Sequence, residues 1–136
     1  MLDLSAARHV GRELELMLAG RKPLALFYDD AADPAGEAAI PESLFRPYVA
    51  RGELVMAEHT VDVPDPLLGA PAPVRYVLYA LPYEHWRIPA MRLALELHGR
   101  TPGLADEGLE RMICALLGYT REETAACLDA GVLERC

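Results

Sequence analysis

Residues 53–63, 64–73 and 74–81 read ELVMAEHTVDV, PDPLLGAPAP and VRYVLYAL. In the first block Val55, Ala57, His59, Val61 and Val63 fall on one side of an extended chain. Leu54, Met56, Glu58, Thr60 and Asp62 fall on the other. Strand side chains alternate with period two, so this block reads as a strand with one apolar face. The third block reads as another strand, closed by Pro82, with Tyr76 and Tyr79 on opposite faces. The middle block holds four prolines and reads as a long, stiffened surface connection. Two strands joined in this way are expected to pair antiparallel.

Working outward toward the N-terminus, Pro23 precedes a short strand over 24–29, LALFYD, whose apolar run lacks polar alternation. Such a run predicts a strand covered on both faces. A helix is expected over about 4–19, with Leu4, Ala7, Gly11, Leu14 and Leu18 on one stripe. Gly20 stops it, and Arg21 and Lys22 stand where a helix dipole favours cations. After the loop with Asp33, Pro34 and Gly36, a short helical piece follows Pro41. Pro47 is expected to break or restart it.

Toward the C-terminus, Ile88, Met91, Leu95 and His98 share a stripe that predicts a helix over about 89–98. Leu109, Met112, Ile113, Leu116 and Leu117 predict another over about 105–117. Thr120 and Glu123 form a capping box that opens a last helix running to about Leu128. The order α, β, short α, β, β, α, α, α predicts an α+β fold. Its parts are a small three-stranded, mainly antiparallel sheet, helices packed on one face, and a helical C-terminal third. The length of 136 residues fits one globular domain spanning 1–136. The stripe over 109–117 exceeds what three strands cover, which suggests a homodimer.

Composition narrows the function classes. The chain is 52% hydrophobic, enough for a core without disulfides or metal, and its apolar runs are too short for a membrane span. Asp3 stands early, and no basic start precedes an apolar stretch, so no secretory signal is expected. Cys114, Cys127 and Cys136 are odd in number and contain no CxxC, a poor disulfide framework and a poor zinc site. Cys114 is expected to pack as a small apolar residue, and reduced cytoplasmic residence follows. The net charge is −8. Five acids and no base lie between Asp29 and Glu42, and seven acids and three arginines follow Ala105. Phosphate binding needs Lys and Arg contacts, so neither nucleic acid nor an anionic membrane is an expected partner. The stretch from Leu117 to Glu123 has the outline of a helix-turn-helix start, but its acidity argues against DNA. A basic protein is the electrostatic match.

Motifs for nucleophilic catalysis or phosphate binding are absent: Ser5 and Ser43 stand in no GxSxG elbow, and neither GxGxxG nor GxxxxGK[ST] occurs. No cofactor or metal is implied. The weak catalytic candidates are His59, Asp29 and His85. An imidazole beside a carboxylate could move a proton or help hold a metal. His59 sits on the presumed core face, where it needs a hydrogen-bond partner. Tyr83, Trp86 and Arg87, with His85, form the aromatic and basic cluster; Trp, Tyr and Arg are the types that anchor protein interfaces, while the plainer expectation is that Trp86 caps the core at the start of the following helix. With them, Asp30, Asp33 and Glu37 are the interaction candidates. The sequence thus favours an acidic interaction module of the inhibitor, immunity or adaptor type over an enzyme. The alternative is a small-molecule-binding or metal-assisted enzyme domain with a pocket near His59.

Overall fold

The computed structural model describes His9 and residues 11–64, 69–100 and 107–129. Its elements, in order, are α1 (Glu13–Leu18), β1 (Leu24–Asp30), α2 (Glu42–Ala50), β2 (Val55–Pro64), β3 (Pro71–Ala80), α3 (Arg87–Arg100), α4 (Glu107–Leu116) and α5 (Arg121–Asp129). Single 3-10 turns occupy Gly36–Ala38 and Pro82–Glu84. The strands form one antiparallel sheet of order β1-β3-β2. β3 is central, with Leu24 opposite Ala80 on one side and Val55 opposite Ala80 on the other. No helix among the described residues is long and apolar enough to cross a membrane.

The α+β class and the three-stranded antiparallel sheet are as the sequence predicts. The helices, however, cover both faces of the sheet rather than one. On the first face Leu24, Leu78 and Ala80 pack with Ile88, Met91, Ala94 and Leu95 of α3 and with Ile113 and Leu116 of α4. On the opposite face Ala25, Val77 and Tyr79 pack with Met17 of α1 and Phe45 of α2, together with Ile40 and Leu54. Neighbouring strand residues point to opposite faces, so an apolar run such as 24–27 requires cover on both. The second face is aromatic. Phe45 stacks on Tyr79 at 4.2 Å, and Phe27 meets both edge-on at 5.4 and 6.1 Å.

Three local expectations change. Gly11 has a φ of +82°, which is not helical, and α1 begins only at Glu13; the expected turns over 1–8 and residue 10 lie outside the described residues. Pro47 sits within α2 without breaking it. One missing amide is tolerated because Phe45, Tyr48 and Val49 hold the helix on the sheet. The connection between β2 and β3 is shorter than the proline block, because the ladder continues to Pro64 opposite Pro71. β1 ends at Asp30 opposite Val74, and just beyond it the Ala31 amide donates to the Pro73 carbonyl at 3.0 Å; the proline has no N–H to return that bond, and the ladder on this side stops there.

Candidate functional site

Pro82 opens a 3-10 turn directly after β3 and turns the next residues outward. Tyr83 is 70% exposed, the most of any large hydrophobic among the described residues, and Trp86 is 53% exposed. Trp86 does not cap the core. Its position is nevertheless fixed. Oε2 of Glu84 accepts from Nε1 of Trp86 at 3.0 Å and from Nε of Arg87 at 2.7 Å. The Arg87 guanidinium lies 4.7 Å from the Trp86 ring centre. The Arg87 hydrogen bond holds the Glu84 carboxyl below its usual range. Arg87 Nη1 then donates to the carbonyls of Ala115 and Leu116, at 3.1 and 3.2 Å, at the end of α4. A helix leaves its last carbonyls without internal donors, and a cation is favoured there. Arg87 therefore anchors the platform to the C-terminus of α4.

The acidic loop is largely occupied with its own backbone. Asp29 accepts from the amides of Asp30, Ala35 and Gly36. Asp30 accepts from those of Ala32 and Asp33. Glu37 accepts from the amide and hydroxyl of Ser43 in the first turn of α2. These bonds use side-chain oxygens without cancelling charge. Arg75 offsets part of the field, binding Glu42 at 2.6 Å and Glu58 at 2.7 Å, and both contacts reinforce its positive charge. Asp33 stays exposed beside them.

Asp29, His59 and His85 are not brought together. Asp29 lies opposite Arg75 and His59 opposite Tyr76, so the two project from opposite faces of the sheet. His85 follows the Ala80 end of β3, roughly 13 Å of strand beyond Tyr76. It is exposed, and its Nδ1 donates to the Pro82 carbonyl at 2.8 Å. His59 is half-buried against α3. Oε1 of Glu96 approaches its Nε2 to 3.4 Å, but off the axis of a hydrogen bond, and this Nε2 has no hydrogen-bond partner among the described residues. Nε of Arg92 is likewise buried and unpartnered among them, while its Nη2 donates to the Glu58 carbonyl at 3.3 Å. Among the described residues no three His, Cys, Asp or Glu side chains converge to hold a metal ion.

A third cluster escaped the sequence reading. Lys22, the one lysine of the chain, is 2% exposed. Its Nζ lies 2.8 Å from Nδ1 of His9 and donates at 2.8 Å to the carbonyl of Leu117. His9, 7% exposed, stacks on Tyr119 at 3.8 Å and turns Nε2 toward Glu123 at 3.3 Å. Burial pushes the Tyr119 hydroxyl and the buried Cys114 thiol upward. Lys22 does complement a helix dipole, as the sequence suggests, but at the end of α4 and not of α1. The capping box is present: the Thr120 amide donates to Glu123 at 2.9 Å, and the Glu123 amide to Thr120 Oγ1 at 3.1 Å. The signals in sequence were the solitary lysine and Gly118, whose φ of +88° sets the turn behind it.

The chain matches no family model, no curated protein and no solved structure.

Proposed function

We propose that this chain is a small acidic cytoplasmic interaction module, of inhibitor, immunity or adaptor type, that grips a basic protein through Tyr83 and Trp86. The observation that carries the reading is the fixed exposure of Trp86. Glu84 and Arg87 hold the indole outward, so binding loses little side-chain freedom. Interface anchors are typically Trp, Tyr and Arg in such pre-set positions. The net charge of −8 and the acids Asp30, Asp33 and Glu37 favour a positively charged partner. Self-association belongs to the same reading: Leu93 on α3 and Met112 on α4 remain exposed, and sedimentation of the purified protein tests it.

The test is affinity capture with wild type and Trp86→Ala side by side, followed by titration of the captured protein against each. Wild type is expected to bind it with salt-sensitive affinity, and the variant roughly thirty-fold more weakly, the equivalent of about 2 kcal/mol. Equal affinity for both proteins defeats the proposal.

A small-molecule site at His59 is the second reading, supported by one nitrogen each of His59 and Arg92 that is buried without a hydrogen-bond partner among the described residues. Buried donors without partners are rare, and a ligand oxygen would satisfy them. Its test is an NMR titration of the His59 imidazole with small carboxylates and phosphate. Saturable shifts that Arg92→Leu abolishes support a site, whereas unchanged signals remove it.

A further inference from the structure

We propose that His9, Lys22 and Glu123 form an acid-opened clasp: a second proton on the His9–Lys22 pair breaks their contact and releases His9 from the corner between α4 and α5. The proton count follows from the contacts. The Leu117 carbonyl can only accept, so Lys22 Nζ must keep a hydrogen on that side. The Glu123 carboxylate facing Nε2 of His9 requires a hydrogen there. Nδ1 and Nζ, 2.8 Å apart, then share one proton between them. A further proton would set N–H against N–H with no acceptor between, inside a buried site.

The surrounding charges are mixed. Lys22 and Arg12 oppose a positive imidazole, while Glu123 favours one. Glu13 and Glu123 favour the lysine charge, as does Cys114 in α4. Tyr119 stacks on the ring, and Thr124 is buried on α5. Burial, followed by Lys22, takes the His9 pKa from its ordinary 6.5 down to about 4. Burial also brings Lys22 down to about 8. An opened His9 therefore takes up a proton before a closed one does. The closed form holds its full advantage above pH 6.5 and loses it as pH falls toward 4, by roughly 300-fold in the ratio of closed to open.

The closed state ties together segments far apart in the chain, since Lys22 bonds Leu117 and His9 meets Glu123. Opening should therefore show in the amides of that corner. The experiment measures hydrogen exchange of the Tyr119 and Thr124 amides between pH 7 and pH 4, corrected for intrinsic rates, in wild type and His9→Gln. A glutamine can accept from Lys22 and donate to Glu123 but does not titrate. Wild type is expected to lose protection across the window, and His9→Gln to keep it. Equal loss in both overturns the clasp. If the variant does not fold, nitrogen NMR of wild-type His9 decides. An imidazole with hydrogen on Nε2 alone at pH 7, titrating well below 6.5, is expected. One that titrates near 6.5 without disturbing Tyr119 overturns the proposal.

Discussion

Two cations cap the same end of α4, and their surroundings differ sharply. Arg87 serves the carbonyls of Ala115 and Leu116 from the outside, paired with Glu84 and laid against the exposed Trp86. Lys22 serves the next carbonyl, Leu117, from the inside, enclosed by His9 and lying 5.0 Å from the Tyr119 ring centre. A guanidinium spreads its donors in a planar fork and binds several acceptors while staying near water. A compact ammonium, once stripped of water, becomes easier to deprotonate. One helix terminus thus joins a rigid outer platform to an inner pair of nitrogens sensitive to pH.

Changes at that junction should rank accordingly. The largest effect is expected from Gly118→Ala. Its Cβ would lie 2.4 Å from Cδ of Pro23, on a backbone with φ of +88°, which forces Lys22 and the helix end apart. A loss of about 3 kcal/mol or more in urea unfolding is expected; a loss under about 1 kcal/mol would mean the two segments part freely. Next is pH. The depressed His9 pKa predicts that wild type loses up to about 3 kcal/mol of stability, from its full value above pH 6.5, as pH falls to 4. His9→Gln should lack that component, measured as the difference between the two denaturation curves. Lys22→Met follows, at about 2 kcal/mol at pH 7, because relief of a buried charge offsets part of the cost of leaving Leu117 O and His9 Nδ1 without a donor. Arg87→Met should cost about 1 kcal/mol, since water can reach the carbonyl of Ala115. The reverse order for these two would break the contrast between inside and outside. The smallest effect is expected from Trp86→Ala, within about 0.5 kcal/mol of wild-type stability in the same assay.

The legible part of the fold was the part with short-range pattern. The alternation over 53–63 and the run over 74–81 identify β2 and β3, and Thr120 with Glu123 marks the start of α5 to within a residue. The run Leu24, Ala25, Leu26, Phe27 already demanded cover on both faces, and placing all helices on one face overlooked that demand. Gly11 satisfies the helical stripe by spacing, yet its backbone is left-handed, and spacing carries no information on φ. Of the interaction candidates, Tyr83, Trp86 and Arg87 do lie together, because neighbours in sequence remain neighbours in a turn. His9 lies 13 residues from Lys22, and Lys22 lies 95 from Leu117, and no periodicity links such positions. Glu123 was legible as half of a capping box and Lys22 through the rarity of lysine in the chain, but nothing in the sequence joined them to His9.

That rarity gives folding a chemical signature. The single lysine side chain is shielded in the folded protein, so reagents that acylate lysine amines should find Lys22 only when the α4–α5 corner separates from it. The single tryptophan, by contrast, stands in solvent beside the same helix end. One molecule therefore carries an acylation clock for opening on the inside of α4 and an optical reporter of encounter on the outside, each at one unambiguous address.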